Sequence, residues 1–424
     1  MLPIEYIRNN SQYISNRLAV RGFTNTNIVD QILGLDDKRK EIQTQLDETK
    51  AKSNQISKQI GQLYKEGKQE EAEKAKQETG ELKEQVKNLQ QQMTDIQQKQ
   101  QELLVEIPNV PHPAVKEGNT EADNIEIRTS GEIFPLNENA LPHWDLAKKY
   151  NLIDFELGNK LTGSGFPVFK NRGAKLERAL ISYFLDMAVD NGYEEYLPPL
   201  MVNEDSAFAT GQLPDKEGQM YRLADDPFYM IPTAEVPITN MYRDTILKAE
   251  DLPVKNVSYT PCFRREAGSY GKHVRGLNRV HQFDKVEIVQ IQHPDKSYDT
   301  LEEMVQHVEM LLQQLQLPYR IMQLCGGDLG FASAFTYDFE VYAAAQQKWL
   351  EVSSVSNFES YQANRLKLRF KDDKQKGTRL AHTLNGSALA LARVIAALIE
   401  NNQTEDGITI PKVLIPYYGN SIIT

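Results

Sequence analysis

Three short segments place charged or polar residues two positions apart, the spacing that puts side chains on one face of a β-strand. In Pro261-Cys262-Phe263-Arg264-Arg265-Glu266 these are Arg264 and Glu266. In His281-Gln282-Phe283-Asp284-Lys285-Val286-Glu287 they are Phe283, Lys285 and Glu287, and in Glu351-Val352-Ser353-Ser354 they are Glu351 and Ser353. An arginine, carboxylates and an aromatic ring on one face suit an anionic ligand that carries a base. Arg grips a phosphate with a planar fork, a ring stacks on a base, and carboxylates hold Mg²⁺ or an ammonium group. Each strand taken alone fits better a sheet with one face in water, where such alternation is the default. Residues 388–399 read as a helix that is apolar on every side except at Arg393. Such a helix is buried, and a buried guanidinium needs a partner. An internal salt bridge or a bound polyphosphate would each supply one. Glycines and basic residues in 267–277 make either a flap over an anion or a plain hairpin loop.

These groups need a scaffold. Strands are expected at 228–231, 257–266, 280–291, 336–342, 348–356 and 366–370. An edge-like strand is expected at 196–202, where Pro198 and Pro199 exclude a central place. Helical spacing marks 174–189 and 298–315, and an apolar helix closes the domain at 386–400. Strands follow one another instead of alternating with helices, which points to an antiparallel sheet with flanking helices, an α+β fold.

The N-terminal part obeys another period. From Ile28 to Leu63, and again from Ala72 to Leu103, mostly apolar residues recur in alternating steps of four and three. This is a coiled-coil seam. Gly67 is the expected turn, so the runs pair antiparallel, with Leu63 against Ala72, Leu46 against Leu89 and Ile32 against Leu103. At helical rise the first run is about 54 Å long. A hairpin this thin is an arm, with no room for a substrate pocket. Pro108, Pro111 and Pro113 end it, which divides the chain into an arm, 1–110, and a mixed domain, 111–424.

The 424 residues are 40% hydrophobic and 25% charged, the ordinary make-up of a globular chain. No apolar run is long enough to cross a bilayer, and no secretory signal is expected from Met1 to Tyr6. Cys262 and Cys325 cannot build a disulfide framework or a Cys-rich zinc site, which suits a reducing cytoplasm and no zinc. The net charge of −11 argues against a nucleic-acid partner. The distal arm reverses that balance locally: Lys50, Lys52, Lys58, Lys65, Lys68, Lys74 and Lys76 outnumber Glu66, Glu70, Glu71 and Glu73. On charge alone this is the solvated face of a coiled coil.

In this order along the chain, the segments resemble the three signature motifs of class II aminoacyl-tRNA synthetases. More narrowly, the whole chain is similar to bacterial-type seryl-tRNA synthetases. The first motif matches Gly192-Tyr193 through Pro198-Pro199-Leu200. The second matches Phe263-Arg264-Arg265-Glu266, its loop, and Arg275 through Glu287. The third matches Asn385-Gly386-Ser387 through Arg393, with Ala388 and Ala392 where further glycines are usual. Family-specific stretches match at Thr233-Ala234-Glu235, at Glu351 through Asn357 and at His382 through Ser387.

The resemblance implies the class II antiparallel sheet flanked by helices, with an N-terminal antiparallel coiled-coil hairpin. It implies a cytoplasmic homodimeric ligase that activates L-serine with ATP and moves the seryl group to the 3′ end of tRNA(Ser), with tRNA(Sec) an open second substrate. Arg264, Glu351 and Arg393 would carry catalysis, Arg264 on the α-phosphate and Arg393 on the terminal phosphates. Glu266 would meet the adenine amino group and Phe283 its ring. Arg265, Arg275, Val352, Ser353 and Ser354 complete the ATP set, with Arg265 expected to face away, and Glu351 and Ser354 would hold Mg²⁺ with ATP. Thr233, Ala234, Glu235, Glu287, Asn385 and Ser387 would form the serine pocket, and the arm lysines would grip the tRNA. Two other classes compete. A non-catalytic RNA-binding paralogue would have no need of so matched a ligand set, and a ligase that loads a carrier protein would have no extended RNA arm to grip.

Overall fold

The computed structural model describes residues 1–424 except 26, 134–135, 137–138, 268–274 and 373–375. It forms two compact units, one of Leu2–Ala19 with Phe23–Pro108, the other of Met1, Val20–Gly22 and Asn109–Thr424. Among the described residues no helix is long and apolar enough to cross a membrane.

The first unit is built on α1 (Ile28–Lys65) and α2 (Gln69–Glu106). Gly67 joins them in the left-handed region at φ +76°, which glycine enters without the Cβ penalty of other residues. Burial follows the heptads: Ile32, Leu46, Ser53 and Ile56 on α1, and Ala72, Thr79, Leu82, Met93, Gln100 and Leu104 on α2, are sealed while their neighbours reach water. Lys52 bridges to Glu78 at 2.9 Å and Tyr64 donates to Glu73 at 2.7 Å, and both contacts fit the antiparallel register. At the root, Asp36 is buried and receives Arg8 at 2.7 Å and Arg39 and Lys40 at 2.9 Å. Burial alone would raise its carboxyl, but Lys40, Arg8 and Arg39 together hold it at about 2.

In the second unit an eight-stranded sheet carries the site. Its strands are β1 (Ile125–Ser130), β2 (Glu194–Glu195), β3 (Val254–Phe263), β4 (Gln282–Gln292), β5 (Tyr319–Gln323), β6 (Phe335–Ala343), β7 (Lys348–Asn357) and β8 (His382–Ala390). Their order is β1-β5-β6-β7-β8-β4-β3-β2. Every neighbouring pair is antiparallel except β2 with β3. Helices α3 (Asn171–Asp190), α5 (Ser297–Gln314) and α7 (Leu391–Asn401) pack against the sheet, and one apolar core joins them. Val286 and Ile288 of β4 and Leu350, Val352 and Val355 of β7 point into that core. Strand alternation therefore leaves Lys285, Glu287 and Glu351 on the opposite face. Two short helices complete that region: α4 (Glu235–Asn240), whose Ile238 packs on Val289, and α6 (Ser360–Leu366).

Three expectations need correction. Residues 386–400 are not one helix: 386–390 belong to a central strand, and α7 starts only at Leu391. A central strand and a buried helix are both apolar throughout, so the run looks continuous. The strand expected at 196–202 is split between Glu194–Glu195 and Met201–Asn203, with Pro198 and Pro199 in neither. Residues 366–370 contain the end of α6 and the start of a short strand, Arg369–Lys371. The methyl groups of Ala388 and Ala392 lie in the main core.

Asp36→Asn is expected to destabilise the arm by about 2 kcal/mol at neutral pH, less than breaking a fully buried pair, because Arg8, Arg39 and Lys40 all reach water. A carboxyl held low stabilises the fold above its unfolded value and loses that contribution as pH falls through about 2. The gap between wild type and variant, read by urea unfolding of the arm's helical circular dichroism, should therefore narrow steadily on acidification.

Candidate active site

The centre of the site is a buried cluster on β4 and β8. Lys285 Nζ lies 2.6 Å from Glu287 Oε2, and both side chains are almost fully out of water. Ser387 stands directly opposite Glu287 across the ladder and donates to Oε2 at 3.2 Å. Glu235, at the start of α4, is also buried. Its Oε1 accepts from Gln362 of α6 at 2.6 Å, and its backbone N–H donates to Thr233 Oγ1 at 3.2 Å. Gln362 is itself fixed, donating to Thr210 O and accepting from Thr383. Burial, and then the neighbouring Glu287, push Glu235 up to about 7, against the pull of Gln362, Lys285 and Arg264. Two carboxyl groups thus share one buried ammonium, with the Arg264 guanidinium as the next cation.

Arg264 lies beside this cluster, and Arg393 stands against Glu351 of β7. Arg264 follows β3, with its side chain 5.3 Å over the ring of Phe283 and its Nε donating to Pro232 O at 3.3 Å. The strand ends at Phe263, so simple alternation does not pair Arg264 with Glu266. Glu266 is turned by a left-handed backbone (φ +46°) and accepts from Arg279 at 2.8 Å. Arg393 sits in the first turn of α7. It is not buried as expected, because that turn opens where the sheet ends: its side chain keeps 26% exposure. Nε donates to Asn278 O at 2.9 Å and Nη1 to Glu351 O at 2.8 Å. Nη1 also lies 3.8 Å from Glu351 Oε1, so the internal salt bridge is present in a loose form beside the two carbonyl contacts.

A bulge sets the third group. β7 slips by one residue against β6 between Phe339 and Glu340, so Glu351 pairs with Glu340 while Ser354 pairs with Asp338. Strict alternation would put Glu351 with Ser353. The bulge instead puts Glu351 with Ser354. Ser353 turns to β8 and donates to Ser387 O at 2.6 Å. Ser354 donates to Asp338 Oδ1 at 2.5 Å. Burial, and then Glu351, hold Asp338 well above the usual carboxylate range. Hard oxygen donors with crowded negative charge fit Mg²⁺ bound through a carboxylate or two plus phosphate oxygens. Among the described residues no group of three His, Cys, Asp or Glu side chains forms a complete cage.

The remaining expected residues are placed as follows. Ala234 is buried in an apolar cluster with Ile238 and Val289, and Asn385 is buried on β8 between Val289 and Ser356. The Val352 side chain faces the core, which leaves its backbone to offer. Arg265 is exposed, and Arg275 holds its guanidinium 4.4 Å over Trp144. Of the expected flap, 267–277, residues 268–274 lie outside the described residues. All the arm lysines are exposed, and Lys52, Lys68 and Lys76 pair with nearby glutamates. Lys285 was placed on the site face but given no role, and Asp338 and Gln362 were not singled out. Lys285 and Asp338 carried the two-residue spacing used for their neighbours, whereas Gln362 carried no local signal.

An antiparallel sheet that aims two arginines and a carboxylate set from three motifs at one face is the catalytic core of a class II aminoacyl-tRNA synthetase. Residues 221–402 match the family model described as tRNA synthetase class II core domain (G, H, P, S and T). Residues 1–111 match the seryl-tRNA synthetase N-terminal domain. The serine–tRNA ligase of Salinibacter ruber is 48% identical over 420 residues, 99% of this chain and 98% of that one. The crystal structure of seryl-tRNA synthetase from Pyrococcus horikoshii complexed with ATP superposes with a TM-score of 0.89 at 34% identity, covering 100% of this chain and 99% of that one. The cytoplasmic enzyme from Naegleria fowleri, in complex with AMP, gives 0.88 at 25% identity with the same coverage. The chain belongs to the seryl-tRNA synthetase family.

Lys285 favours the charged form of Glu235, so Lys285→Met should move the Glu235 titration upward from about 7. Carboxyl ¹³C shifts of the ligand-free protein, recorded against pH, would read the change; a downward move would contradict the geometry.

Proposed function

We propose that this chain condenses L-serine with ATP to seryl-adenylate and pyrophosphate, then transfers the seryl group to the 3′-terminal ribose of tRNA(Ser). The observation that carries this reading is the buried Lys285–Glu287–Ser387 cluster beside Glu235 and Arg264. Glu235 and Glu287 receive the ammonium and hydroxyl of serine, with Thr233, Ala234, Asn385 and Ser387 closing the pocket. A pocket that hydrogen-bonds the hydroxyl rejects alanine, which leaves buried polar groups unpaired. The serine carboxylate oxygen attacks the α-phosphorus in line as the bond to the β-phosphate oxygen breaks. Positioning and charge stabilisation supply the acceleration. Arg264 contacts the α-phosphate and Arg393 the departing phosphates. Phe283 stacks on adenine, Glu266 meets its amino group, and Arg265, Arg275, Val352 and Ser353 border the nucleotide. Glu351 and Ser354 would hold Mg²⁺ with ATP, which neutralises phosphate charge when bound.

The arm, through Lys50, Lys52, Lys58, Lys65, Lys68, Lys74 and Lys76, grips the RNA by phosphate contacts and shape. Charging assays on tRNA(Ser) and tRNA(Sec) transcripts decide whether the second RNA shares it. The active form is a homodimer that pairs through the segment after α3, and support comes from the apolar side chains exposed there: Met201 and Leu197, the latter 82% exposed. Free, buried Cys262 and Cys325 suit a cytoplasmic setting.

Glu287→Ala should abolish serine-dependent ATP–pyrophosphate exchange, and near-normal exchange would refute the pocket. Deleting residues 50–83 should spare exchange and reduce tRNA charging at physiological salt by at least about a hundredfold; charging at the wild-type rate would remove the arm from the mechanism. Serine binding should weaken as pH falls below about 7, where Glu235 takes up its proton, and Glu235→Gln should flatten that dependence in a calorimetric titration.

A further inference from the structure

We propose that His143 is a positioning residue for nucleotide binding, acting through the backbone of Leu277 and Asn278 on Arg275 and Arg393. The inference rests on the reading that these arginines serve the nucleotide. His143 and Glu400 form a pair with both side chains fully buried. The Leu277 N–H donates to His143 Nε2 at 2.9 Å. That contact leaves Nε2 without a proton, so the ring carries it on Nδ1, which donates to Glu400 Oε1 at 2.8 Å. Glu400 Oε1 also accepts from the His143 backbone at 2.8 Å and Gln346 Nε2 at 2.9 Å, while Oε2 accepts from the backbones of Ala345 and Gln346. Every one of these groups points a donor at the carboxylate, which makes it a rigid post for the imidazole.

The chain at 275–278 hangs from this post. Gly276 adopts φ +67°, and a Cβ there would come within 2.2 Å of His143 Nε2, so the backbone approaches the ring as only glycine allows. One residue before it, Arg275 lays its guanidinium over Trp144, the neighbour of His143. One residue after Leu277, the Asn278 carbonyl takes Arg393 Nε at 2.9 Å, and the Asn278 side chain donates to Gln346 Oε1 at 2.8 Å. Arg393 and Glu400 belong to the two ends of α7. The helix thus holds this short segment twice: directly through Arg393, and through Glu400 and His143 at Leu277. An apolar pair in place of His143 and Glu400 would fill the volume with less desolvation. It would leave the buried Leu277 N–H without an acceptor, and both arginines would lose their fixed origin.

The test separates the two bonds of the ring in the full-length protein. His143→Asn can place an amide where Nδ1 lies and keep the tie to Glu400, but it does not reach Leu277. His143→Gln can place an acceptor where Nε2 lies and keep the tie to Leu277. In serine-dependent ATP–pyrophosphate exchange, His143→Asn should raise KM for ATP about tenfold, the equivalent of one lost hydrogen bond, with KM for serine unchanged. His143→Gln should return KM for ATP to within about threefold of wild type. The inference is overturned if both variants keep the wild-type KM for ATP, or if KM for ATP and serine rise together in proportion to a fall in Tm. Arg393→Ala, measured in parallel, separates the two levels. An unchanged KM for ATP there removes the nucleotide assignment itself, whereas a large rise there with none in His143→Asn removes only the role of His143.

Discussion

Charges removed from water must be satisfied where they stand, and Lys285 and Glu287 are sealed side by side on a central strand. Much of the site follows from that condition. Ser387 has to face Glu287 because the carboxylate has a lone pair to spare, and the register of β8 against β4 delivers it. Gln362 has to reach across from α6 because Glu235 would otherwise lie buried beside a like charge with no donor. What results is a buried cluster of two carboxyl groups around one ammonium, with the Arg264 guanidinium beside it. Carboxylates gathered in this way favour an amino acid's own ammonium over a neutral molecule of the same shape.

The groups proposed to meet the nucleotide are presented by departures from regular strand geometry. The slip between β6 and β7 brings Glu351 and Ser354 to one face. A second slip, between Ser387 and Ala390 on β8, ends the ladder just before α7 begins and Arg393 enters its first turn. Glu266 is reversed by a positive φ. A flawless sheet would carry the same residues and aim them differently, which is why bulges collect next to binding sites.

The arm was legible in the sequence because its seam repeats for many turns and each seam position has one environment. Most of the sheet was legible for the same reason, since Phe283, Lys285 and Glu287 alternate with Val286 and Ile288 along a single buried strand. Arg393 was placed in the right motif but the wrong surroundings: a central strand running into a buried helix has no periodic break. The pairing of Glu351 with Ser354 depends on a one-residue slip that leaves no mark in composition. Gln362 and His143 were invisible, because their partners Glu235 and Glu400 lie 127 and 257 positions away. Local pattern carries no information about such contacts.

The seam of the arm changes character along its length. Near the root, Ile32, Leu46, Met93 and Leu104 fill it beside Gln100; toward Gly67, Ile56 and Leu82 alternate with Ser53, Ala72 and Thr79. Small side chains bury less apolar area per turn and release less free energy on packing. The Asp36 cluster and the large side chains accordingly anchor the root, while the far half depends on Ile56 and Leu82 to hold its two helices together.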